Sequence, residues 1–182
     1  MNKAYVFAAQ GLEEIECLTQ VDLLRRGGVE VVLTAVGGDR TIRGSHGIVM
    51  EADALLEDVD LSDADALILP GGMPGTLNLQ ADSLLEAALK KAVGGDVWIC
   101  AICAAPRVLG ELGLLSGETA TCYPGCESYL KGAETTENPV EVSGQFITSR
   151  GVGTAIPFAL KILEKLEGWE CSQKIEKSIV FG

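Results

Sequence analysis

One histidine, His46, stands in 182 residues. That scarcity excludes a histidine-rich metal site. It also leaves a Cys–His pair only if the fold carries His46 to a cysteine, and nothing in the sequence does so. His46 therefore reads as a surface or interface residue. Positive charge is scarce too: 14 Lys and Arg stand against 26 Asp and Glu, a net charge of −12. Such a chain repels nucleic acid and anionic membranes unless a basic patch exists. The densest basic spot is Arg25-Arg26, so neither partner is expected. No apolar run reaches the roughly 18 residues of a spanning helix. The N-terminal MNKAYVFAAQGLEE meets acids before the roughly 7–15 apolar residues of a secretory segment. Repeats and low-complexity linkers are also missing, so the expectation is a single domain over 1–182 and a cytoplasmic location.

Six cysteines allow three disulfides by count. Their placement argues for free thiols: Cys100 and Cys103 flank the end of an apolar strand, where buried thiols are common, and no export segment is evident. Cys122 and Cys126 stand four apart but lack partners at zinc-ligand spacing, so no metal is expected.

The chain is 47% hydrophobic, enough for a sizeable core. Lys3 to Ala9 reads as a buried strand. Glu13 to Arg26 has helical spacing at Ile15, Leu18, Val21 and Leu24, closed by Gly27-Gly28. Val29 to Val36 is a second strand, and TIRGSHGIVMEAD a small hairpin around Gly44 to Gly47. Asp65 to Gly72 is a third strand and Asp96 to Ile102 a fourth; Ser83 to Val93 between them is a helix. Arg107 to Leu114 continues helically. ETATC (118–122) and QFITSRG (145–151) are later strands, and Ala155 to Leu166 and Trp169 to Lys177 are helices. Alternating strands and helices, with several strands apolar throughout, predict an α/β sandwich: a mostly parallel sheet covered on both faces. Ligands of such sheets sit beyond the strands' carboxyl ends. Three ends matter: Gln10-Gly11, Gly71-Gly72 and Cys103.

At Cys103 an apolar strand stops, Ala104 and Ala105 follow, and Pro106 suits the first turn of a helix. A tight strand-to-helix turn holds a nucleophile away from its backbone, and a helix N-terminus lowers a thiol's pKa. Cys100, within the strand, reads as a core residue. The N–H groups of Gly71, Gly72 and Ala104 are candidate oxyanion donors. Glu13 and Glu14 read as acids complementing a helix dipole. Glu16, one residue past Ile15, is placed to face the sheet end. Held neutral beside a thiolate, it would donate a hydrogen bond.

Four ordered stretches, QGLEEIE (10–16), LPGG (69–72), AICAAP (101–106) and TSRGVGTA (148–155), resemble the motifs of the ThiJ/PfpI superfamily, in its DJ-one branch. The likeness covers nearly the whole chain. It implies a flavodoxin-like three-layer sandwich and a homodimer without cofactor. It implies that Cys103 is the nucleophilic and oxidisable cysteine and Glu16 a protonated carboxyl beside it, with Gly72 and Ala104 as backbone donors. Gly71, Tyr123 and His46 are candidate neighbours of the pocket. The activities it implies are glyoxalase action on small 2-oxoaldehydes such as methylglyoxal, deglycation of glycated protein side chains, chaperone-like action and oxidative-stress sensing. Two positions depart from the superfamily's patterns. The protease-like branch has histidine directly after the cysteine, where this chain has Ala104, which argues against peptidase chemistry. Human-type members carry histidine where this chain has Tyr123, which removes a nearby imidazole base.

Three readings compete. In the first, Cys103 attacks a 2-oxoaldehyde and Glu16 moves the protons. In the second, the protein is a non-enzymatic redox sensor or chaperone whose Cys103 oxidises to a sulfinate. In the third, it is a true flavodoxin, but the acids of AAQGLEEIE would repel a flavin phosphate after strand one.

Overall fold

The structure, a computed structural model, describes residues 1–182. Its strands are β1 (Lys3–Ala8), β2 (Glu30–Ala35), β3 (Thr41–Arg43), β4 (Val49–Glu51), β5 (Ala54–Leu55), β6 (Ala66–Leu69), β7 (Trp98–Ile102), β8 (Thr119–Thr121), β9 (Glu134–Thr136), β10 (Val140–Ser143) and β11 (Phe146–Ser149). Its helices are α1 (Glu14–Arg26), α2 (Gly75–Ala81), α3 (Ser83–Ala92), α4 (Pro106–Glu111), α5 (Ala155–Glu167) and α6 (Trp169–Ser178).

Seven strands form one sheet in the order β10-β11-β7-β6-β1-β2-β5. All pairs are parallel except β10 with β11. Side chains alternate between two cores, as the period of two in a strand requires. Ala4, Val6 and Ala8 face a cluster closed by Val21 and Leu24 of α1 and by Phe158 and Ile162 of α5. Tyr5, Phe7 and Ala9 face a second cluster with Leu79 of α2, Leu85 and Leu89 of α3, and Leu109 of α4. Because both faces are covered, the inner strands read as unbroken apolar runs. The result is the flavodoxin-like α/β sandwich.

Several elements differ from the sequence reading. Thr119–Thr121 pairs with β9 in a separate two-stranded sheet rather than entering the main one. The helix after Cys103 begins at Pro106 and ends at Glu111, not Leu114. Strands β5, β9 and β10 and helix α2 were not expected. Each is short, from two to seven residues, too short for a periodic signal to stand out. No helix is long and apolar enough to cross a membrane.

Chain direction across the sheet reverses beside β1: the path runs to β2 on one side and later to β6 and β7 on the other. A crevice opens at such a reversal, at the carboxyl ends of the strands. The turns after β1, β6 and β7 meet there.

Candidate functional site

Cys103 follows β7 directly, with φ of +65°. A side chain other than glycine is uncommon in that region and costs free energy unless its surroundings hold it. Here two backbone bonds do so. Cys103 N–H donates to Ser149 O at 2.9 Å, and Tyr123 N–H donates to Cys103 O at 2.8 Å. The turn therefore aims the half-buried thiol out of the sheet end. Pro106 takes the first position of α4, where a missing N–H costs nothing.

Glu16 is fully buried, on the first turn of α1. Glu13 caps that helix: its Oε2 accepts the Glu16 N–H at 2.7 Å. The turn after β6 is bonded to the same helix start. Glu13 N–H donates to Gly71 O at 2.9 Å, and Gly71 N–H donates to Glu16 Oε2 at 3.0 Å. Only glycine permits this approach. A Cβ on Gly71 would lie 2.5 Å from Glu16 Oε2 and 2.6 Å from Cys103 Cβ. Gly72 has φ of +90°, and a Cβ there would strike Glu13 N. The Gly71 N–H is thus committed to Glu16 rather than free as an oxyanion donor. The backbone N–H groups of Gly72 and Ala104 act on the Cys103 sulfur instead.

Charge is the central question of the site. Burial, with Glu13 beside it, pushes the Glu16 carboxyl up to about 7, against the pull of Cys103 and the Gly71 N–H. Its second oxygen, Oε1, is buried without a hydrogen-bond partner. A charged oxygen in that position is costly, so a proton belongs there. Burial and then the Glu16 carboxylate push the Cys103 thiol up, while the backbone N–H groups of Ala104 and Gly72 pull it down. The helix start alone therefore does not set the thiol's acidity, contrary to the sequence expectation. The two groups titrate as a pair. When Glu16 holds the proton, its repulsion on Cys103 is gone; burial still weighs against the thiolate, and the two N–H groups offset part of that.

The cavity in front of Cys103 measures about 530 Å³. Glu13, Glu16, Tyr123 and Pro124 form part of its wall, and Arg150 with the stretch 151–154 forms the rest. The sequence reading singled out Tyr123 and missed Glu13, Pro124 and Arg150 as wall residues. The signal available was TSRGVGTA, whose Arg150 and Gly151 come to the site only through the β11–β7 pairing. A larger apolar cleft, about 680 Å³, lies beside α3 near Val97 and Leu67, with no cysteine or histidine in its wall.

His46 does not line the Cys103 cavity. Its ring is exposed, and its Nδ1 lies 3.0 Å from Glu14 Oε2 and 3.9 Å from Glu13 Oε1. Glu14 in turn is more than the dipole acid expected of it. It is buried, and its Oε1 accepts the His46 N–H at 2.8 Å and the Ile48 N–H. Burial works against its charge, but His46 and these N–H groups more than offset that and hold it down at about 2. The bond to Glu14 raises the His46 pKa. Glu13, Glu14 and His46 bring three atoms able to ligate a metal within 4.8 Å of one another. The Glu13 carboxylate already caps α1 and the Glu14 carboxylate ties the β3–β4 hairpin, which gives the group a structural use.

The sequence pattern of the DJ-1/PfpI family matches residues 2–165. The chain belongs to the DJ-1/PfpI family. Among relatives of this family, it is 38% identical over 181 residues to Protein DJ-1 homolog B of Arabidopsis thaliana. The match takes 98% of this chain but 41% of that protein, so the chain spans less than half of that relative. It is 36% identical to the glutathione-independent glyoxalase DJR-1.2 of Caenorhabditis elegans, over 92% of this chain and 89% of that one. The structure of oxidised Toxoplasma gondii DJ-1 superposes with a TM-score of 0.96 at 37% identity, covering all of both chains.

Proposed function

We propose that the protein is a cofactor-free glyoxalase of the DJ-1 type, with Cys103 as nucleophile and Glu16 as proton carrier. One observation carries the reading: a thiol held at φ +65° faces a buried carboxyl whose pKa stands at about 7. An acid–base group works best with its pKa near the working pH.

The Cys103 thiolate attacks the aldehyde carbon of methylglyoxal and forms a hemithioacetal. Its new oxyanion takes a proton from Glu16. Glu16, now charged, removes the hydrogen from that same carbon, giving an enediolate, and returns it to the neighbouring carbon, while the hydroxyl on the first carbon passes its proton to the neighbouring oxygen. The resulting thioester is hydrolysed by water, which releases lactate and restores the thiol. Water is the only co-reactant, and no net oxidation occurs. The Gly72 and Ala104 N–H groups favour the thiolate before attack and stand beside the oxyanion formed on it. Glutathione has no part. The assay is methylglyoxal conversion to lactate without added thiol; no lactate at any pH from 6 to 9 contradicts the proposal. Glycated side chains are a second candidate substrate, since the cavity opens to solvent along Tyr123, which is half exposed.

The unpaired Glu16 Oε1 also favours a second reading, in which a protonated Glu16 donates to a sulfinate on Cys103 and the protein senses oxidants.

We further propose a homodimer. Ile15 and Leu18 of α1 and Ile48 and Val49 of the hairpin are exposed by 40% or more. Apolar exposure of that kind marks a contact surface. Sedimentation at micromolar concentration is expected to give a species of twice 19.1 kDa. A single 19.1 kDa species rules the dimer out.

A further inference from the structure

Cys122 and Cys126 have no part in the proposed chemistry. Both are free. Cys122 belongs to the core cluster of Leu109 and Leu130, and Cys126 packs against the same cluster. Cys103 packs against the opposite one, so it is not their natural partner. A turn joins the two thiols: Cys126 N–H donates to Tyr123 O at 3.0 Å. Gly125 within it has φ of +93°, and apart from its own chain neighbours nothing lies within 4 Å of where its Cβ would be. The outer side of the turn is therefore open, and no packed neighbour outside the turn holds Gly125 in place. The residues enclosed by the pair are part of the cavity wall, Tyr123 and Pro124. Tyr123 N–H is also the group bonded to Cys103 O at 2.8 Å.

We propose that Cys122 and Cys126 close a reversible disulfide under peroxide, and that its closure displaces the Tyr123–Pro124 wall of the Cys103 cavity. The pair is a dithiol site in its own right; only its consequence for turnover rests on the glyoxalase reading. Cys126 is half-buried and Cys122 is 2% exposed, so peroxide meets Cys126 first. Its sulfur attacks one peroxide oxygen, the O–O bond breaks, and a sulfenic acid and one water form. Cys122 then attacks that sulfur, the S–S bond forms, and the second water leaves with the proton. Two electrons pass from the two thiols to one peroxide. Burial and then Glu127 push both thiols up, and Arg150 on Cys122 and Arg107 on Cys126 offset part of that. A disulfide fixes its two Cβ atoms near 3.8 Å apart. The residues between them take up the movement, beginning with Tyr123.

The test uses the full chain carrying Cys103→Ser, so that oxidation at the site itself does not intrude. Trypsin places Cys122 and Cys126 together in the peptide 108–131 and the 100–103 stretch in another. After equimolar hydrogen peroxide, that peptide is expected two hydrogens lighter and closed to alkylation, with dithiothreitol restoring both thiols. Exchange of the Tyr123 amide is expected to change about tenfold on oxidation. Cys126→Ser in the same background is expected to show neither effect. Two alkylatable thiols in the peptide after peroxide overturn the dithiol. A closed disulfide with unchanged Tyr123 exchange overturns the displaced wall. Both readouts are independent of turnover, so loss of the glyoxalase reading leaves them intact.

Discussion

Cys103→Ser is expected to lower kcat/KM for methylglyoxal by on the order of 10³-fold or more. A hydroxyl retains the shape of the thiol and its bonds, so the fold is unaffected. What is lost is the nucleophile: a serine oxygen near neutral pH has no anion to offer, and no histidine lies in the cavity to generate one. The backbone N–H groups of Gly72 and Ala104 favour an anion on sulfur but cannot bring an alkoxide into range. Lactate formation by the serine variant within tenfold of the parent removes Cys103 from the chemistry. Urea unfolding of the variant at unchanged midpoint separates this from a folding defect.

Glu16→Gln is expected to lower kcat by about 10²- to 10⁴-fold and to change how stability depends on pH. Glutamine still offers an oxygen to the Gly71 N–H and an N–H to the sulfur. It cannot take up or release a proton, so attack survives while proton transfer fails. The stability effect has a definite sign. The folded Glu16 carboxyl, raised by burial to about 7 from a usual 4.5, binds a proton more tightly than the unfolded one. Its contribution is complete below pH 4.5 and is lost as pH rises through 7. The loss is on the order of 3 kcal/mol by pH 8. The glutamine variant lacks this loss. Between pH 5 and pH 8 its stability relative to the parent is expected to rise by that amount, read from urea unfolding. Parallel pH curves for the two proteins show that Glu16 is ionised at neutral pH and overturn its role.

The parts of this structure legible in the sequence are those that chemistry writes locally. Strand β1 shows as an apolar run because Val6 and Phe7 are both buried, on opposite faces. Helix α1 shows by its spacing, and Cys103 by the small residues and proline that follow it. The offset from Ile15 places Glu16 at the sheet end, and the spacing counts Ile15 with the apolar stripe; Ile15 in fact faces solvent while Glu16 is fully buried. The rest depends on contacts between distant residues. Glu14 gives no sign in the sequence that it ties down a hairpin 32 positions later. Strand β5 exists only because two residues, Ala54 and Leu55, meet Thr34 and Ala35 at the sheet edge. The thiol's acidity depends on a carboxyl 87 positions earlier along the chain, so a rule about helix starts gave half of the answer.

The central claim is that the Glu16–Cys103 pair makes one of the six thiols reactive, and competitive labelling tests it most directly. The native protein at pH 7 is treated with iodoacetamide well below one equivalent, then digested and mapped by mass. The expected result is label on Cys103 ahead of Cys126 and Cys171, the other two half-buried thiols. Cys17, Cys100 and Cys122 are buried, out of the reagent's reach, and are expected to stay unlabelled. Label appearing first on Cys126 or Cys171 contradicts the account.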